Sequence, residues 1–115
     1  KKIDLILLIG FMRILSSEFV DRWFGKIVNV HPSLLPKYAG GMNSDVHKSV
    51  LAAGDKKTGC TIHLVTKEVD GGPILLQKSC PVFENDSIDS LKERVQKLEG
   101  KAFIEIINNW SNNEY

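Results

Sequence analysis

Few residues of this chain offer chemistry, and those few are clustered. In the stretch Val28-Asn-Val-His-Pro-Ser-Leu-Leu-Pro36 an asparagine and a histidine stand two apart, with Pro32 and Pro36 behind them. Alternation of apolar and polar residues is the pattern of a strand, so Asn29 and His31 project from one face of it. A third group, Asp70, lies in Val69-Asp-Gly-Gly-Pro73. An amide, an imidazole and a carboxylate suffice for acyl transfer without a covalent intermediate. The amide and the protonated imidazole hydrogen-bond the developing oxyanion. The carboxylate, directly or through a water, orients the imidazole or carries the amine proton. Gly71 and Gly72 would let the backbone approach a flat ligand. Each member also has an ordinary use: Asn in turns, a lone His as a structural hydrogen-bonder, Asp-Gly-Gly as a tight turn. On these residues alone the chain reads as an α/β domain with a candidate acyl-transfer site.

Other chemistries find no support. Three scattered histidines without an i,i+4 pair or a cysteine companion do not make a metal site. There is no GxxxxGK[ST] loop, and Ser33 lacks a nucleophile elbow. His63, in Thr61-Ile-His-Leu-Val65, alternates like a strand residue and is expected to pack in the core or around the site rather than to act in catalysis. His47 is expected on the exposed side of a helix. Fifteen basic and fourteen acidic residues leave a net charge of +1, without the basic excess of a nucleic-acid binder. Cys60 and Cys80 form no CxxC motif and are expected to be reduced thiols of a cytoplasmic protein. The opening Lys-Lys-Ile-Asp-Leu-Ile-Leu-Leu-Ile-Gly looks signal-like, but Asp4 interrupts a short apolar core, which argues against a signal peptide. No apolar run reaches the roughly 18 residues of a membrane span.

The elements that must position these groups follow from periodicity. Ile3 to Ile9 is a nearly continuous apolar run, expected as a parallel strand buried on both faces. Ser16 or Ser17 caps a short helix ended by Gly25, and Lys26 to Val30 forms the next strand. A Pro- and Gly-rich loop follows, then a helix from Ser44 to about Ala53, stopped by Gly54-Asp55. Thr61 to Val65 and Ile74 to Val82 read as further strands. Asp86 or Ser87 caps a long helix in which Ile88, Leu91, Val95, Leu98, Ala102, Ile106 and Trp110 recur at spacings of three and four. The expected fold class is α/β, a mostly parallel open sheet with flanking helices. In such sheets, ligands sit at the carboxyl ends of strands, where Asn29, His31 and Asp70 are expected.

The ordered set GFMRILSSEFV, NVHPSLLPKYAGG, GCTIHLV, EVDGGPILLQ and RVQKLE resembles the phosphoribosylglycinamide formyltransferase family from about Leu5 to Trp110. The resemblance implies a Rossmann-like fold and transfer of a formyl group from 10-formyltetrahydrofolate to the amine of glycinamide ribonucleotide, in purine biosynthesis. It assigns Asn29, His31 and Asp70 to the family's catalytic trio. It assigns Met12, Arg13, Ile14 and Leu15, with Val65, Thr66, Glu68 and Val69, to the folate pocket, and Gln96 and Glu99 to contacts with the ribonucleotide. Small molecules are the implied partners, with no metal, nucleic acid or membrane.

Three departures shape the expectation. The family's N-terminal strand and Gly/Ser/Asn phosphate loop precede the matched region, so residues 1–115 read as the folate-binding and catalytic part of the domain. The loop Ala39 to His47 is longer than the family's, and Gly100 stands where a His is usual. The 115 residues alone are therefore expected to be weakly active or inactive, and to self-associate through the strand Ile3 to Ile9. Related folate enzymes, methionyl-tRNA formyltransferase and formyltetrahydrofolate hydrolase, share an Asn-x-His and a distant Asp, but HPSLLPKY and VDGGP favour the purine enzyme. A non-catalytic remnant or folate-binding fragment is the alternative of another class.

Overall fold

The computed structural model describes residues 6–8, 18, 22, 25–41, 43–66 and 72–111. In chain order these form strand β1 (Ile6–Leu8), strand β2 (Ile27–His31), helix α1 (Asn43–Ala53), strands β3 (Lys57–Leu64) and β4 (Ile74–Pro81), and helix α2 (Ile88–Ser111). Of the helix expected before β2, only Glu18 and Arg22 are described, and both are helical.

The four strands form one sheet in the order β1-β2-β3-β4. β1 and β2 are parallel, whereas β2 with β3 and β3 with β4 are antiparallel. The α/β layering matches expectation; the mostly parallel sheet does not, since among the described residues only the first pair is parallel. The reason lies in the connections. The segment between β2 and β3 stays at one end of the sheet, because Tyr38 near its start is bonded to Asp55 at its finish. The chain therefore re-enters the sheet where it left, and β3 must run backwards. Between β3 and β4 the link from Leu64 to Ile74 is shorter than the dozen or more residues a parallel crossover requires.

Helices α1 and α2 cover one face of the sheet. Val28 and Val30 of β2, with Cys60 and Ile62 of β3, meet Val46 and Val50 of α1 and Leu91, Val95, Ala102 and Ile106 of α2 in a single buried cluster. The spacing of the α2 residues is the expected helical stripe. Its start is a reciprocal cap, with the Ser90 amide donating to Ser87 Oγ at 3.1 Å and the Ser87 amide to Ser90 Oγ at 2.9 Å. Arg94 reaches back to grip Asp86 with both guanidinium arms, at 2.7 and 2.9 Å, and lies 4.5 Å from the Phe83 ring centre.

Helix α1 ends in a Schellman turn. Gly54 adopts φ +70°, and the Gly54 and Asp55 amides donate to the Leu51 and Val50 carbonyls. One expectation fails on this helix: His47 is 1% exposed, buried rather than on the surface. It follows Val46 directly and precedes Val50 by three positions, so it shares their inward side. β3 also begins earlier than expected, at Lys57 rather than Thr61.

Candidate functional site

Register decides which side chains share a face. In the β2–β3 ladder Asn29 stands opposite His63, and His31 opposite Thr61. Since the side chains of β2 alternate, these four occupy the face opposite the one packed against α1 and α2. The site is thus an antiparallel pair of strands presenting polar groups on one side and Val28, Val30, Cys60 and Ile62 on the other.

The two site histidines are locked in opposite ways. His63 Nδ1 lies 3.0 Å from the Leu64 carbonyl oxygen. A carbonyl only accepts, so Nδ1 carries a hydrogen, and in the neutral ring Nε2 carries the lone pair. That lone pair accepts from Asn29 Nδ2 over a long 3.5 Å contact, which orients the amide. Asn29 Oδ1 is then left buried without a hydrogen-bond partner. In His31 it is Nε2 that lies 2.9 Å from a carbonyl, that of Tyr38. His31 and His63 are each 3% exposed, so their rings are held by their surroundings.

The loop behind His31 is pinned to the sheet. Thr61 Oγ1 donates to the Ser33 carbonyl at 2.7 Å and accepts from the Leu35 amide at 3.0 Å. Gln77 on β4 donates to both Thr61 Oγ1 and the Leu35 carbonyl at 3.0 Å. Ser33 Oγ donates to the Lys37 carbonyl. The Tyr38 hydroxyl donates to Asp55 at 2.7 Å, and Lys37 approaches the other carboxylate oxygen at 3.3 Å. The Tyr38 hydroxyl holds the Asp55 carboxyl below its ordinary range, and the same bond raises the Tyr38 phenol.

Other sequence-derived site residues fare differently. Met12, Arg13, Ile14, Leu15, Glu68, Val69 and Asp70 lie outside the described residues. Val65 and Thr66 are half-buried just beyond β3, where the Val65 amide donates to the Ile27 carbonyl at 2.8 Å. Gly72 backs onto this point: a Cβ there would stand 1.8 Å from the Leu64 carbonyl oxygen. Its missing side chain serves the β3–β4 junction.

Gln96 is exposed and Glu99 half-buried on α2. Burial raises the Glu99 carboxyl, and its charge acts on Cys60 of the helix-covered face. The structure therefore joins Asn29, His31 and His63, and carries Gln96 and Glu99 on α2. The Cys60 thiol is pushed up to about 12, first by burial and then by Glu99, and burial also raises Cys80. Both cysteines are free, and burial disfavours the thiolate of each. Among the described residues no cluster of His, Cys, Asp or Glu could hold a metal ion, and no helix is long and apolar enough to cross a membrane.

The sequence reading had missed Thr61, Gln77, Tyr38 and Asp55 as supports, and had placed His63 only loosely beside the site. The signal for Thr61 and His63 was present in the alternation of Cys60-Thr-Ile-His63, once β3 is known to run antiparallel to β2.

Residues 1–107 match the formyl transferase family. The chain belongs to that family. It is 52% identical over 101 residues to the trifunctional purine biosynthetic protein adenosine-3 of Gallus gallus, covering 88% of this chain and 10% of that protein. It is 46% identical to the phosphoribosylglycinamide formyltransferase of Escherichia coli, over 93% of this chain and 49% of that one. Among solved structures, the phosphoribosylglycinamide formyltransferase of Anaplasma phagocytophilum superposes with a TM-score of 0.89 at 39% identity, covering 96% of this formyl transferase chain and 52% of its own. The chain thus spans about half the length of the single-function relatives it matches.

Proposed function

We propose that this chain carries the folate-binding and catalytic part of a phosphoribosylglycinamide formyltransferase, moving a formyl group from 10-formyltetrahydrofolate to the amine of glycinamide ribonucleotide in cytoplasmic purine biosynthesis. The observation that carries the reading is the Asn29–His63 contact beside His31, which leaves Asn29 with a buried, unpartnered Oδ1. An acceptor in that state suits an N–H of an incoming substrate, and the second Nδ2 hydrogen suits a carbonyl oxygen.

In this mechanism the amine nitrogen forms a bond to the formyl carbon, and the carbonyl electron pair moves onto oxygen. Asn29 Nδ2 and protonated His31 stabilise that oxygen. Asp70, through His31 and an ordered water, takes the amine proton. The folate nitrogen then departs with its bonding pair and accepts a proton. Met12 to Leu15, together with Val65, Thr66, Glu68 and Val69, line the folate pocket in this reading, and Gln96 and Glu99 contact the ribonucleotide. The proposal includes self-association along the outer edge of β1, which pairs only with β2 among the described residues.

The test is formyl transfer from 10-formyltetrahydrofolate to glycinamide ribonucleotide, set against methionyl-tRNA as acceptor. Transfer to the ribonucleotide alone supports the proposal; transfer to tRNA alone, or none to either, overturns it. Glu99→Gln is expected to raise KM for the ribonucleotide and leave KM for the folate unchanged. Sedimentation at micromolar concentration checks association, and a stable monomer overturns that part.

A further inference from the structure

Neighbouring rungs of the sheet, on the face that bears Asn29 and His31, are built differently. In one, His31, Thr61 and Gln77 stand side by side on β2, β3 and β4. The loop after β2 is fastened across this rung: Thr61 Oγ1 holds the Ser33 carbonyl and Gln77 Nε2 the Leu35 carbonyl. Leu34 lies so close to β3 that a Cβ on Gly59 would stand 2.9 Å from its Cδ2. In the next rung Ile74 of β4 completes the row of Asn29 and His63.

Ile74 reaches that row through a bulge. Ile62 pairs with Leu76 and His63 with Ile74, so Leu75 has no opposite number on β3. Leu75 and Leu76 both pack against the buried cluster beneath the helices, and Ile74 falls on the other side with His63. In an unbulged strand Leu75 would face His63 and Ile74 would turn inward. The chain just before Ile74 is fixed, since the Leu64 amide donates to the Pro73 carbonyl at 2.9 Å and Gly72 lies against the Leu64 carbonyl. Ile74 is 48% exposed, although His63 beside it is buried. The bulge thus sets a large apolar side chain, open to solvent, at the end of the row that carries Asn29.

We infer that Ile74 is a specificity-determining contact for the folate co-substrate, covering an apolar ring face next to the formyl-bearing nitrogen. The inference rests on the formyl-transfer reading and adds to it the residue that tells one substrate from the other. In 10-formyltetrahydrofolate the formyl group sits on a nitrogen between two ring systems. With the formyl oxygen at Asn29 Nδ2, a ring falls within the two strand spacings, about 10 Å, that separate Asn29 from Ile74. Glycinamide ribonucleotide offers no such surface, since beyond its amine lie an amide, a ribose and a phosphate. An apolar side chain gains by covering a ring, and loses by stripping water from polar groups.

Methyl NMR of the whole 115-residue chain, labelled at the isoleucine δ1 carbons, tests the contact. The Ile74 signal is assigned by its loss in Ile74→Leu. Added 10-formyltetrahydrofolate is expected to shift it through the ring current and to leave the signal of Ile104, 65% exposed on α2, in place. Added ribonucleotide leaves both in place. In calorimetric titrations Ile74→Ala is expected to weaken folate binding about tenfold, the scale of uncovering roughly two methylene groups, and Ile74→Leu by less than about threefold. Ribonucleotide binding stays within about twofold in both, and KM values follow the same split. An Ile74 methyl unmoved by bound folate overturns the inference even if Ile74→Ala fails to fold. Equal weakening of both substrates in Ile74→Ala also overturns it, because a general loss of site structure does that. A wild type that binds folate without turnover, and shifts the Ile74 methyl, defeats the proposed activity and upholds the contact. Binding of neither substrate overturns both.

Discussion

The two faces of the β2–β3 pair are made from alternate residues of the same strands, yet they obey different rules. On the helix-covered face Val28, Cys60 and Ile62 are fully buried with Leu91, Val95 and Ile106, and what holds them is non-directional apolar burial. On the opposite face Asn29, His31, Thr61 and His63 are held by directed hydrogen bonds, several of them to backbone carbonyls. The first face tolerates any apolar group of similar volume. The second depends on particular partners, since its side chains are bonded to fixed counterparts, with Asn29 Oδ1 left over. The difference teaches that stability and chemistry are separable here by a shift of one residue along a strand.

Paired substitutions at neighbouring positions test that separation most severely. Asn29→Ala and His31→Ala are each expected to lower kcat for formyl transfer by about 10²–10³-fold, the scale of losing one oxyanion donor or one general acid. Asn29→Ala is expected to keep a thermal midpoint close to that of the wild type, since Asn29 is only half-buried. Ile62→Ala, on the same sheet and facing the other way, is expected to lose about 3 kcal/mol in denaturant titration, with unchanged turnover per folded molecule. Equal loss of stability in Asn29→Ala and Ile62→Ala would break the comparison.

The clamp at the start of α2 holds the covered face together from outside it. Asp86 accepts from both Arg94 arms, from the Phe83 amide and from Ser90, and the Arg94 bonds hold its carboxyl far below the usual range. Asp86→Ala leaves these donors unmatched and is expected to cost about 2 kcal/mol. Arg94→Lys is expected to cost about half as much, because an ammonium cannot reproduce the two-pronged grip. Both are read by denaturant midpoint, and neither is expected to alter the assay. A fall in kcat for Asp86→Ala would mean that the covered face communicates with the site.

The α2 stripe, the Ser87 cap and the Gly54 stop were legible because each is a local pattern with one physical meaning. Asn29 and His31 were legible as a same-face pair for the same reason. What could not be read was strand direction. A helix between two strands suggests a parallel crossover, whereas here the connection returns to the end it left, with Lys37 and Tyr38 both meeting Asp55, and β3 runs backwards. Misjudging that direction also hid the pairing of Asn29 with His63 and of His31 with Thr61. The reading of Gly72 missed for a related reason: its tight approach is to Leu64, a partner visible only once the β3–β4 junction is built. His47 was misjudged because a polar residue flanked by Asp45 and Lys48 reads as surface, although its helical phase matches Val46 and Val50.

That histidine provides the smallest effect and the sharpest contrast, an imidazole subject to the rules of the apolar side. His47 is fully buried with Nδ1 lacking a partner, so burial first and the charge of Lys92 second lower its pKa from the ordinary 6.5. Between the lowered value and 6.5 the unfolded chain binds a proton that the folded chain does not. Unfolding free energy therefore rises with pH across that window: the contribution is complete above 6.5 and is lost as the solution becomes more acidic. Other groups titrate lower or with the opposite sign. Asp55 and Asp86 are depressed from 3.8 and weaken the fold only in stronger acid. Glu99, raised from 4.5 by burial, favours the folded state as pH falls. His47→Leu removes the imidazole and none of these carboxyls, so the wild-type minus variant difference isolates His47. Denaturant titrations from about pH 7 to about pH 5 should show wild-type stability falling relative to His47→Leu. A difference that is flat across that range would mean that the buried ring finds a partner for its proton, and that polar satisfaction extends to the covered face as well.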